Sequence, residues 1–221
     1  MKLYVLQNPK VGRTDAVTDF TQVEGSKTGD APQCPVCGKY LGSRPLLPPI
    51  RVELEAWGAR WGDVAFGTSD EILVSGKLNT LFVESGLVGF ARVEDVEVVK
   101  VKRRRSGLGD PPHFFLAAIM RGSARLNERA SGLVRDELPR CEECRLGGII
   151  KRADQIVLEA NTWSGEDLFI ARGLPGTILA SERFKRLCDD RDLSNCCLVP
   201  AQEFSFDDYP HERSAPPRLS G

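Results

Sequence analysis

Seven cysteines carry most of the chemistry this sequence could do: Cys34, Cys37, Cys141, Cys144, Cys188, Cys196 and Cys197. Four of them form two C-x-x-C pairs, Cys34-Pro35-Val36-Cys37-Gly38 and Cys141-Glu142-Glu143-Cys144-Arg145. That spacing lets a tight turn aim both sulfurs at one ion, and four thiolates at ~2.3 Å complete a tetrahedral shell with no open position. The expected occupant is a single structural Zn2+ on Cys34, Cys37, Cys141 and Cys144. Gly38 suits the turn because glycine adopts positive φ without cost. A redox dithiol and two unbound pairs remain alternatives; thioredoxin-like chemistry would need a helix right after the motif, and neither pair has a clear one. An odd cysteine count disfavours a complete disulfide framework.

The other three cysteines read as packing residues. Cys188 follows Phe184 and Leu187 at helical spacing, and Cys196 and Cys197 open a strand-like Cys-Cys-Leu-Val-Pro run. Buried free cysteine behaves as a small hydrophobe.

More than a hundred residues separate the pairs, and an internal repeat accounts for that distance. A shift of 107 carries Cys34 and Cys37 onto Cys141 and Cys144. A shift of 106 then lays Trp57 on Trp163, Ser75 on Ser181 and Leu81 on Leu187, with 12 identities in 49 ungapped positions between 50–98 and 156–204. The expected architecture is α+β: a tandem duplication of a mixed strand and helix module, the halves joined by the zinc knuckles. Its expected bounds are 1–102 for the first half, 103–112 for a basic Gly/Pro linker, 113–206 for the second half and 207–221 for a mobile tail. Within each half the order is strand, polar loop, knuckle, strand, Trp-containing loop, short strand, helix, strand. Ser75 and Ser181 are N-caps ahead of apolar residues at i, i+3, i+4 spacing. Val96–Val101 and Gln155–Glu159 read as strands, as does the segment after Met1.

The composition sets the broad class. The chain has 221 residues, 41% hydrophobic and 28% charged, with a formal net charge of -1. No apolar run approaches the ~20 residues of a membrane span. No long apolar stretch near Met1 marks a secretory signal, so a cytoplasmic location is expected. Balanced charge argues against a whole-surface nucleic-acid binder. Only His113 and His211 are present, which excludes a multi-histidine metal site. His113 reads as a strand-edge residue. There is no G-x-S-x-G, P-loop or dinucleotide fingerprint, and no carboxylate pair in a recognisable acid/base pattern, so an enzyme is not expected.

The two knuckles, with Trp163-Ser164-Gly165-Glu166-Asp167-Leu168-Phe169 and the helix start Ile178-Leu179-Ala180-Ser181-Glu182-Arg183-Phe184, make the chain similar to the double-CXXCG motif proteins. This is a myxobacterial paralogous family, part of which is described as Sit-type immunity proteins. The likeness covers most of the chain and departs at Arg145, where the family motif has Gly. It implies a cytoplasmic binding protein that neutralises a cognate toxin delivered between sibling cells. On that implication Trp61, which has no repeat counterpart, is a candidate interface anchor. Asp63, Glu166 and Asp167 are then candidate carboxylates for a basic toxin surface. Lys151 and Arg152 are cations that could offset the charge of a four-thiolate centre. The alternative function is a zinc-dependent nucleic-acid-binding regulator, suggested by Lys100-Val101-Lys102-Arg103-Arg104-Arg105. A redox protein using the cysteine pairs is a more remote third.

Overall fold

Alternating apolar and polar residues build the first half. In Ile50-Arg51-Val52-Glu53-Leu54-Glu55-Ala56 every odd member of the run is buried, the period of a strand with one face in a core. Glu71-Ile72-Leu73-Val74-Ser75 is buried throughout, as a strand packed on both faces must be. The computed structural model describes residues 2–11, 14–67 and 70–207, with no side-chain description for Asp207.

The first half runs β1 (Leu3–Gln7), β2 (Thr18–Gln22), β3 (Ile50–Ala56), β4 (Val64–Phe66), β5 (Glu71–Ser75), α1 (Gly76–Glu84) and β6 (Phe90–Arg103). The second runs β7 (Phe114–Ile119), β8 (Arg121–Arg125), β9 (Val134–Arg135), β10 (Ile150–Ala153), β11 (Leu168–Arg172), β12 (Ile178–Ser181), α2 (Glu182–Asp190), β13 (Cys197–Pro200) and β14 (Phe206–Asp207). The molecule is mostly β, with two helices of nine residues each among the described residues. The sequence reading did not anticipate that β2, β3, β6, β7, β5 and β4 close into a mixed six-stranded barrel.

The barrel and the five-stranded sheet each contain a strand from the other half, whereas the small sheet β14-β10-β9 is built from the second half alone. β7 lies between β5 and β6 in the barrel, pairing antiparallel with both. β1 lies between β12 and β13 in the five-stranded sheet β13-β1-β12-β11-β8, again antiparallel to both neighbours. The central apolar cluster draws on both halves, with Ile72, Leu78 and Phe82 against Leu168, Phe184 and Leu187.

The helices begin and end alike. Ser75 Oγ accepts the N–H of Leu78, and Ser181 Oγ accepts those of Arg183 and Phe184. Such caps contribute ~1 kcal/mol each. After α1 the N–H of Leu87 returns to Phe82 C=O around left-handed Gly86; after α2 that of Leu193 returns to Cys188 C=O around left-handed Asp192. This closes the last turn of each helix.

One expected strand is absent. Gln155–Glu159 joins no ladder beyond a single bridge, Leu126 to Leu158. Its backbone is shared among three segments instead: Ile156 donates to Ala201, Glu159 to Arg125, and Val157 accepts from Asn127. Neighbouring amides satisfied on different elements leave no partner strand. Asp207 belongs to β14, which pairs with β10, so the last strand runs into the segment expected as tail. Residues 208–221, including His211, lie outside the described residues.

Candidate metal centre

The knuckles sit in loops, one between β2 and β3 and one between β9 and β10, and the fold brings them together. Cys34, Cys37, Cys141 and Cys144 lie with their sulfurs all within 4.8 Å of one another. Cys34 Sγ is 3.8 Å from Cys141 Sγ, and Cys37 Sγ is 3.7 Å from Cys144 Sγ. Four sulfurs ~2.3 Å from a common centre at tetrahedral angles would be ~3.8 Å apart. The donor set therefore fits one zinc ion, held by two thiols from each half. Cys34, Cys141 and Cys144 are buried and Cys37 is exposed, with Leu41 and Leu146 packed against the buried three.

Both knuckles turn in the same way. Gly38 N–H donates to Cys34 C=O and Arg145 N–H to Cys141 C=O, each at 2.9 Å. Gly38 has φ 73° and Arg145 φ 54°. A left-handed non-glycine residue costs roughly 1–2 kcal/mol. Arg145 offsets this with its side chain: the guanidinium donates to Glu159 at 2.6 Å and to Leu126 C=O at 3.2 Å. The departure from Gly thus preserves the turn. Lys39 Nζ donates across the site to Leu146 C=O at 3.2 Å. Arg152 pairs with Asp154 rather than with the knuckles.

Without metal the thiols are unequal. Backbone N–H groups of Cys37 and Val36 aimed at Cys34 bring its thiol down to about 7, against the opposing effect of burial. Burial pushes Cys144 up to about 12, which the N–H of Leu146 only partly counters. A cation binding all four as thiolates must therefore displace the Cys144 proton at any ordinary pH.

The candidate partner residues have other employment. Asp167 is fully buried: Oδ1 accepts the Ser181 hydroxyl at 2.6 Å, and Oδ2 accepts Arg183 Nη1 and Val88 N–H, each at 3.0 Å. Asp63, with 12% of its side chain exposed, takes the Ser75 hydroxyl at 2.6 Å and the Ser194 N–H at 2.9 Å. Asp167 reaches no outside surface and Asp63 does so only slightly. Both organise helix starts, because the aspartate preceding β4 or β11 lies beside the serine ending β5 or β12. Sequence reasoning missed this role because the two aspartates are 104 apart, not 106; a two-residue gap after the tryptophans would have aligned them. Trp61 packs on the barrel core and its indole N–H donates to Gly109 C=O, pinning the linker. Glu166 precedes Asp167 and its C=O accepts the Trp163 indole N–H. Trp163 packs on Phe169, with ring centroids 6.2 Å apart.

The basic run is largely neutralised. Lys100 and Lys102 each pair with Glu53, Arg104 with Glu55, and Arg103 with Asp110. His113 stacks on Phe115 and contacts Asp95 at the start of β7. No helix among the described residues is long and apolar enough to cross a membrane. Among known proteins, no family model matches this chain, and no curated protein matches it significantly.

Proposed function

We propose that this protein is a non-enzymatic binding protein whose two halves share one structural zinc ion. The observation that carries the reading is the meeting of two thiols from each half, with all four sulfurs within 4.8 Å of one another and the pairs Cys34–Cys141 and Cys37–Cys144 at 3.8 and 3.7 Å, a donor set that would fill a tetrahedral shell. A closed site leaves no place for substrate water, so the ion's part is to join chain segments and its binding free energy becomes folding free energy. The redox alternative fits less well, because Cys34 and Cys37 each lie beside a cysteine of the other pair, a four-way rather than a two-way thiol arrangement.

The partner we propose is a cognate toxin protein, with the chain serving as a cytoplasmic immunity protein of the double-CXXCG type. The support is the resemblance in the knuckles and in the segments around Trp163 and Ser181. Neutralisation would proceed by covering the toxin's active site or locking its conformation, with electrostatic complementarity setting the on-rate. The contact face excludes Asp63 and Asp167, whose carboxylates are committed inside. The test is to co-express the chain with the product of an adjacent toxin reading frame. A stable complex and restored growth support the reading; free toxin and unprotected cells defeat it.

We also propose a tandem duplication as the origin of the halves. Its support is a set of matched contacts at the shift of 106: the caps Ser75 and Ser181, the left-handed Gly86 and Asp192, and the cations Lys77 and Arg183. Lys77 Nζ donates to the carbonyls of Arg191 and Asp192 after α2, and Arg183 Nη2 to those of Ser85 and Gly86 after α1.

A further inference from the structure

We infer that the chain is a strand-exchanged dimer of halves, in which the 103–112 linker joins the halves covalently but does not hold them together. This rests on the two-half organisation, not on the toxin. Three sets of contacts cross between halves, and each set is reciprocal.

The first is strand exchange. β1 supplies an interior strand to the second half's sheet, with Val5 opposite Leu179 on one side and Val199 on the other. β7 supplies an interior strand to the first half's barrel, with Leu116 opposite Leu73 on one side and Glu94 on the other. Removing either strand would leave two edges with unpaired backbone groups inside a sheet, each costly when buried.

The second is the aspartate latch. Asp63 of the first half holds Ser194, just past α2, while Asp167 of the second holds Val88, just past α1. Val88 and Ser194 are themselves 106 apart. The third is the cation at the opposite helix end: Lys77 reaches past α2 and Arg183 past α1. Positive charge there is favourable because the terminal carbonyls carry the negative end of the helix dipole. The zinc knuckles are a further join, packed in a small cluster of their own away from the central core.

The linker contributes little beside these. Gly107 is exposed, has φ 89°, and has open space around it. A cut there should leave every reciprocal contact intact. The two fragments fit each other as partners in the way a second copy fits in a symmetric dimer, where each subunit gives what it receives.

The experiment is to insert a site-specific protease sequence between Gly107 and Leu108 of the full chain, purify it folded, and cleave it. A parallel insertion between Arg105 and Ser106 repeats the test at a second point. Native mass spectrometry and size exclusion then follow the fragments at 10 °C, with zinc and with excess chelator. Metal content is read separately, and no toxin is present. The inference predicts one species of the full mass in both conditions and one melting transition for the cut protein. Separation of the fragments with zinc present would overturn it. Separation only in chelator would also overturn it, because the metal alone would then be the fastener. Two independent melting transitions would show that each half completes its own sheet.

Discussion

The buried carboxylate of Asp167 accepts the backbone N–H of Val88 at 3.0 Å, across 79 positions of sequence. The same carboxylate holds the Ser181 cap of α2 and the Arg183 guanidinium, so one side chain fixes the start of one helix and the exit of the other. Arg183 is half exposed and stays solvated without Asp167, but the Ser181 hydroxyl and the Val88 N–H would lose their acceptor, at ~1–3 kcal/mol per buried donor. Asp167→Ala should therefore lower stability by at least ~1–3 kcal/mol in denaturant unfolding. Asp63→Ala, at a site that water still reaches, should cost less. Equal, small losses in both variants would refute the latch.

Cysteine substitutions should sort by location. Cys34→Ser and Cys141→Ser, from different halves, should each abolish stoichiometric zinc binding. Cys188→Ala, in the central core, should leave zinc content unchanged and cost ~1 kcal/mol or more through lost packing. Zinc loss in the Cys188 variant, measured by metal analysis, would contradict the assignment.

The two knuckle turns should respond unequally to a swap of side chain. Gly38 has open space for a Cβ, so Gly38→Ala should cost only the backbone strain of positive φ, roughly 1–2 kcal/mol. Arg145→Gly gives that strain back but loses the bond to Glu159, so its net effect should stay within ~1 kcal/mol. Chemical denaturation of the zinc-loaded variants compares them. A large loss from Arg145→Gly would mean the guanidinium does more than offset its own backbone.

Acid should release the metal. Below about 12 the Cys144 thiol is protonated in the metal-free protein, so each ion bound displaces that proton, which by itself makes apparent affinity fall tenfold per pH unit. Cys34, held down at about 7, adds a further proton as pH drops below 7. From pH 8 to 6 zinc affinity should weaken by at least ~100-fold, read by competition with a chromophoric chelator. A flat profile would contradict thiolate ligation.

Local signals in the sequence were legible where one residue type has one physical use. The C-x-x-C pairs, the serine caps and the two helices were all visible as spacing. The barrel and the exchange of β1 and β7 were not, because strand partners separated by over a hundred residues leave no local trace. The 106 shift located Ser75 and Ser181, yet a gapless comparison set Asp63 against Phe169 and hid the match with Asp167. Acidic side chains near a tryptophan loop then looked like surface groups, when burial among hydroxyl and amide donors makes them internal caps. Gln155–Glu159 had the alternation of a strand but not a partner, which only the tertiary fold supplies.

The central claim is that two thiols from each half hold one zinc ion. Metal analysis of the purified, reduced chain tests it most directly. The account predicts one equivalent of zinc per chain, with chelator removal lowering the melting temperature by ~10 °C or more, given that 1 kcal/mol moves a domain of this size by ~2–4 °C. A ratio clearly below one, or an unchanged melting temperature after chelation, would contradict it.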